Sequence, residues 1–135
     1  MLYENLRVNL AGLELRTPII LASGVAGYAI EYGKLKDIDF AMIGGIVLKG
    51  VNLEGKKGNV GSRIVDSTIG VINSIGLENP GVDILIQDIL PKIPKTTRLI
   101  ANIFGDTVQE YGQVAAKLNN VSEIHALEVN ISCPN

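Results

Sequence analysis

The chain has little cysteine, little excess charge and no long apolar run, and each shortage excludes a class of protein. Its one cysteine, Cys133, has no second thiol for an intramolecular disulfide or a paired metal ligand, so we expect a metal-free protein of the reducing cytoplasm. Twelve basic and fourteen acidic residues, mixed along the chain, argue against nucleic acid as a partner. No stretch approaches the ~20 apolar residues that span a bilayer, and residues 1–7 lack an apolar signal core. We therefore expect neither secretion nor a membrane anchor.

What the chain has is apolar residues, 47% of its 135, which is enough for one globular domain. It also has fifteen glycines, and several lie where apolar runs end, as in Ser23-Gly24, Lys49-Gly50, Ile75-Gly76 and Phe104-Gly105. Glycines in such positions predict loops in which the backbone turns sharply or comes close to a ligand.

Four short apolar runs without clean alternation predict strands of a parallel sheet covered on both faces, at 18–24, 46–50, 99–103 and 126–131. Helical segments are predicted after most of them, at 28–36, 79–91 and 107–119. The second helix would begin with Asn79 as cap and Pro80 as its first residue, and the third with Thr107 and Glu110 as a capping-box pair.

Two hairpins are predicted outside this pattern. Residues 6–10 and 13–16 alternate around Ala11-Gly12, which supplies the turn. The polar segment 51–78 contains two further arms, 63–65 and 70–72, and an insertion of this kind is expected to carry function rather than core.

Strands that alternate with helices predict an α/β fold, either an open doubly wound sheet or a (β/α)₈ TIM barrel, and periodicity does not choose between them. Polar residues at the predicted carboxyl ends of successive strands favour the barrel, because such residues converge on one mouth: Ser23, Lys49, Asn102 and Asn130. A barrel needs about 250 residues. We therefore expect residues 1–135 to be the amino-terminal part of one barrel domain of a longer polypeptide, with four β/α units and the two hairpins.

The ending Asn130-Ile-Ser-Cys133-Pro-Asn135 carries the most chemistry. A carboxamide offers both a donor and an acceptor, which matches a pyrimidine with adjacent N–H and C=O groups. A thiol gives up its proton far more readily than an alcohol, so it can act as a base near neutral pH. Against this, a lone cysteine at a strand end is more often a small buried hydrophobe, and spacing alone favours that interpretation.

Four motifs in this order carry a family resemblance: PIILASG at 18–24, LKG at 48–50, NSIGLENPG at 73–81 and NISCPN at 130–135. Together they resemble the class 1 dihydroorotate dehydrogenases. The resemblance implies a TIM barrel that binds FMN and oxidises (S)-dihydroorotate to orotate in pyrimidine biosynthesis. It also implies that Cys133 is the general base, which removes a proton from C5 while C6 gives hydride to the flavin. The related membrane-associated class has serine in that position.

The resemblance assigns further residues by position. It implies FMN contacts at Ser23, Gly24, Lys49, Gly50, Asn102 and Asn130. It implies substrate contacts at Lys49, Asn73, Ser74, Ile75, Gly76, Leu77, Asn130 and Asn135. Taken singly, these glycines and asparagines are better explained as turn formers, and Lys49 as a solvated lysine at a strand end.

Ile75 and the segments 49–59 and 78–81 resemble the NAD-linked subgroup. This implies a partner subunit with FAD and a 2Fe-2S cluster, and a homodimer within a heterotetramer. The alternatives are a fumarate-linked relative, a dihydropyrimidine dehydrogenase relative, and a non-catalytic scaffold without flavin.

Three other features receive ordinary structural interpretations. His125 is predicted to precede the fourth strand, on the surface opposite the mouth. Glu128 is predicted to be a buried carboxylate that needs a partner, and Lys56-Lys57 to be a solvated loop.

Overall fold

The computed structural model describes residues 4–35 and 39–133. Eight strands run β1 (Val8–Leu10), β2 (Leu13–Leu15), β3 (Ile20–Leu21), β4 (Gly45–Val47), β5 (Ile64–Ser67), β6 (Gly70–Asn73), β7 (Arg98–Ile103) and β8 (Ile124–Val129). The helices are α1 (Val82–Ile84), continued by a π-helical turn (Leu85–Ile89) and a 3₁₀ turn (Leu90–Lys92), and α2 (Val108–Leu118). Single 3₁₀ turns lie at Glu4–Leu6, Tyr32–Lys34 and Phe40–Met42.

Four strands form one parallel sheet in the order β3-β4-β7-β8, which is also their order along the chain. Ile20 of β3 lies opposite Gly45 of β4, and Ile100 of β7 lies opposite Ala126 of β8. A doubly wound sheet reverses its strand order at a switch point, whereas a (β/α)₈ barrel keeps the order of the chain. The fold is therefore part of a TIM barrel, and the sheet does not close on itself within the described residues.

The hydrophobic core lies between this sheet and the helices. The sheet side contributes Ile46, Leu48, Leu99, Ala101 and Ile103, and the helices contribute Val82, Leu85, Leu90, Val114 and Leu118. β7 is buried on both faces beyond its first residue, as predicted, but β8 is not, since Leu127 and Val129 are exposed. β8 lies at the edge of the four-stranded sheet, where it has only one neighbouring strand to cover it.

Both hairpins are confirmed. β1 pairs antiparallel with β2 around Ala11 and Gly12, whose φ angles of 49° and 96° are those of a tight turn. β5 pairs antiparallel with β6 within one or two residues of the predicted arms.

The predicted helix over 28–36 is wrong for its described part. This segment consists of turns and the 3₁₀ turn Tyr32–Lys34, and Lys36 lies outside the described residues. Gly27 and Ala29 have φ angles of 54° and 64°, and a backbone in the left-handed region cannot continue a right-handed helix. In this conformation Ala29 is buried in the core.

The helix predicted over 79–91 starts later than expected. Gly81, with φ 93°, is the residue before the first helical turn, and the side chain of Asn79 accepts a hydrogen bond from the Gly81 N–H at 2.9 Å instead of capping the helix. Towards its end the helix widens and then tightens around Pro91, which has no N–H to donate to the preceding turn. Within residues 4–35 and 39–133, no helix combines the length and the apolar character needed to cross a bilayer.

Gly44 is the residue at which a methyl group would disturb the fold most. A Cβ at this position would lie 1.9 Å from the backbone oxygen of Thr17, itself buried, and the Gly44 N–H donates to the Ile19 carbonyl at 2.8 Å. We expect Gly44→Ala to lower the free energy of unfolding by at least about 2 kcal/mol, because backbone must move to relieve the contact. Urea unfolding followed by circular dichroism measures this.

The matched control is Gly112→Ala in the exposed surface of α2, where no atom lies within 4 Å of the added Cβ. There alanine should raise the free energy of unfolding by about 0.8–1 kcal/mol. A Gly44→Ala protein with the wild-type urea midpoint would contradict the close contact between residues 17 and 44.

Candidate functional site

Hydrogen bonds join the segments that follow the four parallel strands into one edge. The Ser23 hydroxyl donates to the Leu48 carbonyl at 3.2 Å, and the Lys49 N–H donates to the Gly27 carbonyl at 2.8 Å. Further along, the Val51 N–H donates to the Asn102 carbonyl at 3.0 Å, and the Asn130 N–H donates to the Ile103 carbonyl at 2.9 Å. The structure thus brings together the strand-end residues predicted to share a mouth.

The centre of this edge is the amide of Asn102, whose residue is only 4% exposed. Its Nδ2 donates to Glu128 Oε1 at 2.5 Å, whereas its Oδ1 is buried and has no hydrogen-bond partner among the described residues. A Cβ added at Gly50 would lie 2.5 Å from that Oδ1. The absence of a side chain at Gly50 therefore lets the amide oxygen of Asn102 lie against the backbone at this position.

Glu128 differs from its sequence-based interpretation. It is exposed rather than buried. It does have a partner, as expected, and that partner is Asn102. The two residues lie opposite each other in the register of β7 and β8. Sequence reasoning did not find this pair because its members are 26 residues apart.

Asn130 is the first residue after β8, and its side chain closes a small turn. Its Oδ1 accepts from the Ser132 N–H at 3.2 Å, and its backbone oxygen accepts from the Tyr111 hydroxyl at 2.5 Å. Tyr111, on α2, was not identified from the sequence. The turn directs the chain to Cys133, which is exposed rather than a buried hydrophobe.

The loop of residues 73–77, which begins at the last residue of β6, is held by a residue that sequence reasoning also missed. Asn59 Nδ2 donates to the Ser74 hydroxyl at 2.8 Å and to the Ser74 carbonyl at 3.2 Å, and the Asn59 N–H donates to the Ile75 carbonyl at 3.1 Å. Gly76 and Leu77 both have positive φ, 77° and 54°. The loop therefore has a fixed, sharply turned backbone, while Asn73 itself is exposed.

A second network joins this loop to the sheet edge. Asn79 Oδ1 accepts from the Asn52 N–H at 3.3 Å, and Asn79 Nδ2 donates to the Leu77 carbonyl at 2.9 Å. Glu110 Oε1 accepts from Asn52 Nδ2 at 3.3 Å. Thr107 caps α2 as predicted, by accepting from the Glu110 N–H at 3.2 Å, but the Glu110 carboxylate serves this network and does not return to Thr107.

A cavity of about 560 Å³ lies at the opposite, amino-terminal end of the sheet, and its lining includes Arg98 and His125. His125 is exposed as predicted, but it lies within β8 rather than before it. Partial burial of its ring, together with the charge of Arg98, lowers its pKa. Two buried side-chain polar atoms of the described residues lack a partner, Asn102 Oδ1 and the hydroxyl of Tyr28, and neither lines this cavity. The carboxyl edge is therefore the better candidate site.

Three remaining predictions concern the edges of the site. Asn135 lies outside the described residues, so its predicted substrate contact stays a prediction. Lys56 and Lys57 are exposed, as expected of a solvated loop. In the part of the chain that the structure describes, no three His, Cys, Asp or Glu side chains lie together as metal ligands would.

Asn59 offers a test of how the 73–77 loop is held. We expect Asn59→Ala to speed amide hydrogen exchange in this loop about tenfold or more, because two side-chain hydrogen bonds worth about 1 kcal/mol each are lost. Exchange read by mass spectrometry on peptides covering 70–80 measures this. Asn120→Ala, in the exposed turn after α2, is the control and should leave the same peptides unchanged. Equal exchange in both variants would show that the backbone alone holds the loop.

Comparison with known proteins places this geometry in a family. The family model for dihydroorotate dehydrogenase matches residues 5–135. The catalytic subunits of dihydroorotate dehydrogenase B (NAD(+)) from Desulforamulus reducens and Geotalea uraniireducens are 46% and 44% identical over 132 residues, which is 97% of this chain and 43% of each relative. The chain thus spans less than half the length of these relatives.

A solved structure gives the same fold. The structure of DHODH from Eimeria tenella in complex with ferulenol matches 98% of this chain and 38% of its own, with a TM-score of 0.69 and 23% identity. At this identity the likeness concerns the fold, and it agrees with the partial barrel described above.

Proposed function

Because the chain belongs to the dihydroorotate dehydrogenase family, we propose that its carboxyl edge forms part of an FMN site at which (S)-dihydroorotate is oxidised to orotate in pyrimidine biosynthesis. The observation that carries this proposal is the buried amide of Asn102, whose Oδ1 lies against Gly50 and has no hydrogen-bond partner among the described residues. A buried acceptor without a partner costs about 1–3 kcal/mol, which a bound ring with a donor would recover.

The residues at the edge fit a flat, polar ring such as that of FMN. Gly24, with φ 83° and no atom within 4 Å of an added Cβ, leaves room for a ring to approach the backbone, and Gly50 leaves room for the Asn102 amide. The amides of Asn102 and Asn130 would supply hydrogen bonds to it, and Ser23 lies on the same edge. When bound, FMN supplies the chemistry of hydride acceptance.

Lys49 would place its positive charge beside the ring. It lies two residues after the buried strand β4, and its N–H donates to the Gly27 carbonyl at 2.8 Å, so its backbone is held beside the segment that follows β3. An ammonium group held at that position would stabilise negative charge that develops during oxidation of the substrate. It would also attract the carboxylate of dihydroorotate.

The 73–77 loop and the end of the chain would bind the substrate. The amides of Asn73 and Asn130 match the N–H and C=O groups of the pyrimidine, with Ser74 and Ile75 beside them and the backbone N–H groups of Gly76 and Leu77 near its carboxylate. Asn135 would add a further amide. Cys133, as thiolate, would take the proton from C5.

The electrons would pass to NAD through a partner subunit that carries FAD and a 2Fe-2S cluster, within a heterotetramer built on a homodimer in the cytoplasm. The support is the naming of the relatives as catalytic subunits of an NAD(+) enzyme.

Purification of the native-length polypeptide without added flavin tests the proposal. We expect a yellow protein with flavin absorbance that releases FMN on denaturation and is bleached by dihydroorotate without oxygen. A colourless protein that takes up no added FMN would contradict it. Such a protein, if stable at 135 residues, would favour the non-catalytic scaffold.

A further inference from the structure

We propose that Glu128 is a positioning residue, which fixes the amide of Asn102 so that its carbonyl oxygen accepts a hydrogen bond from an imide N–H of the bound ring. The inference rests on the proposed function. It adds to that function one residue, Glu128, and the direction of one hydrogen bond between the protein and the ring. It commits the site to a donor on the ligand at this position, and it excludes an acceptor there.

The first step is the pairing of the two side chains. Asn102 and Glu128 are directly opposite in the parallel register of β7 and β8, and residues paired in this way point to the same face of the sheet. The distance between Asn102 Nδ2 and Glu128 Oε1 is 2.5 Å. An ionised carboxylate only accepts hydrogen bonds, so the nitrogen of the amide has to face Glu128.

The second step concerns the other atom of the Asn102 amide, the oxygen Oδ1. With the nitrogen committed to Glu128, Oδ1 faces the other way, towards position 50. The backbone oxygen of Asn102 accepts a hydrogen bond from the Val51 N–H at 3.0 Å, which holds the backbone of this residue in place. The side-chain oxygen Oδ1, by contrast, is buried and has no partner in the described parts of the chain. A group that donates a hydrogen bond would complete it.

The third step is the chemistry of the ligand. Oxidised flavin has one ring N–H, an imide between two carbonyls, and the pyrimidine of dihydroorotate has a similar imide. Either imide N–H could donate to Asn102 Oδ1, so the side-chain pair recognises the same group in both rings. The experiment therefore uses a methylated form of each ring to tell the two sources apart.

The test measures dissociation constants on the native-length protein. FMN and 3-methyl-FMN are titrated by quenching of flavin fluorescence, and orotate and its imide-methylated form by the change in flavin absorbance of the FMN-loaded protein. The wild-type protein should prefer one unmethylated ring by at least about tenfold, the value of one good hydrogen bond. Glu128→Ala should reduce that preference to about twofold or less.

Exchanging the two functional groups gives the sharper result. In Asn102→Asp two carboxylates face each other, and binding of the preferred ring should weaken by about 100-fold. In the double variant Asn102→Asp with Glu128→Gln, the glutamine amide donates to one oxygen of the new carboxylate and leaves the other as the acceptor. Binding should return to within about tenfold of wild type. Glu31→Gln, an exposed residue, controls for the loss of one negative charge.

The outcomes separate the two proposals. Preference for unmethylated FMN assigns the imide to the flavin, and preference for unmethylated orotate assigns it to the substrate, and either supports the role of Glu128. If the wild-type protein binds both rings but Glu128→Ala keeps the full preference, or the double variant shows no recovery while thermal melts show every variant folded, the inference is overturned and the proposed function stands. A wild-type protein that binds neither ring overturns both.

Discussion

Cys133→Ser is expected to slow the reduction of bound flavin by dihydroorotate by about 10²- to 10⁴-fold near neutral pH, and to leave FMN in place. The proposed base has to be deprotonated before it can take the substrate proton, and an alcohol is far less readily deprotonated than a thiol. The position favours this role, since Cys133 is exposed and follows the turn that Asn130 Oδ1 closes on the Ser132 N–H. Stopped-flow absorbance without oxygen measures the rate.

The matched control is Ser132→Ala, which removes the neighbouring exposed hydroxyl and keeps the backbone N–H that donates to Asn130. It should reduce flavin at close to the wild-type rate. The rate of the serine variant should also rise with pH over a range in which the wild-type rate is level, because deprotonation becomes limiting. Wild-type kinetics in Cys133→Ser would exclude this thiol as the base.

Short sequence patterns correctly predicted those elements that depend on neighbouring residues in the chain. The hairpin around Ala11-Gly12 and the Thr107 cap of α2 both depend on residues within a few positions of each other, and both are present. The helix predicted over 28–36 failed for a tertiary reason. Ala29 is buried in the core with its backbone at φ 64°, and the apolar spacing of this segment carries no information about that.

The convergence of polar strand ends was also predictable, because parallel strands of a barrel all end at one mouth. The residues that set the geometry of that mouth were not. Asn59 holds Ser74 from 15 positions away, and Glu128 holds Asn102 from 26 positions away. Such pairs depend on which strands become neighbours, and a single sequence contains no signal for the register between them.

At Gly50 the structure makes a sequence-based prediction specific. A glycine after a strand-end lysine predicts only a close approach or a turn, but the structure specifies the neighbour, Asn102 Oδ1, at 2.5 Å from an added Cβ. We expect Gly50→Ala to weaken FMN binding by about 100-fold, since the methyl group would turn the amide away from Glu128 and occupy space beside the ring. Together these effects correspond to roughly 3 kcal/mol. Fluorescence titration with FMN measures the change, and Gly112→Ala in α2 should bind as wild type does.

A double-mutant cycle distinguishes this mechanism from a general loss of fold. If the alanine methyl acts by displacing the Asn102 amide, its effect on the free energy of unfolding should largely disappear in an Asn102→Ala background, where no side-chain oxygen is left to displace. The nearest other atom to the added Cβ is Phe104 Cδ1 at 3.4 Å, a contact that needs only a small adjustment. Additive effects of the two substitutions on unfolding would show that the methyl group does not act through the Asn102 amide, and FMN binding by Gly50→Ala at wild-type strength would mean that the acceptor of Asn102 faces no ligand. The flavin would then have to be held elsewhere on the edge.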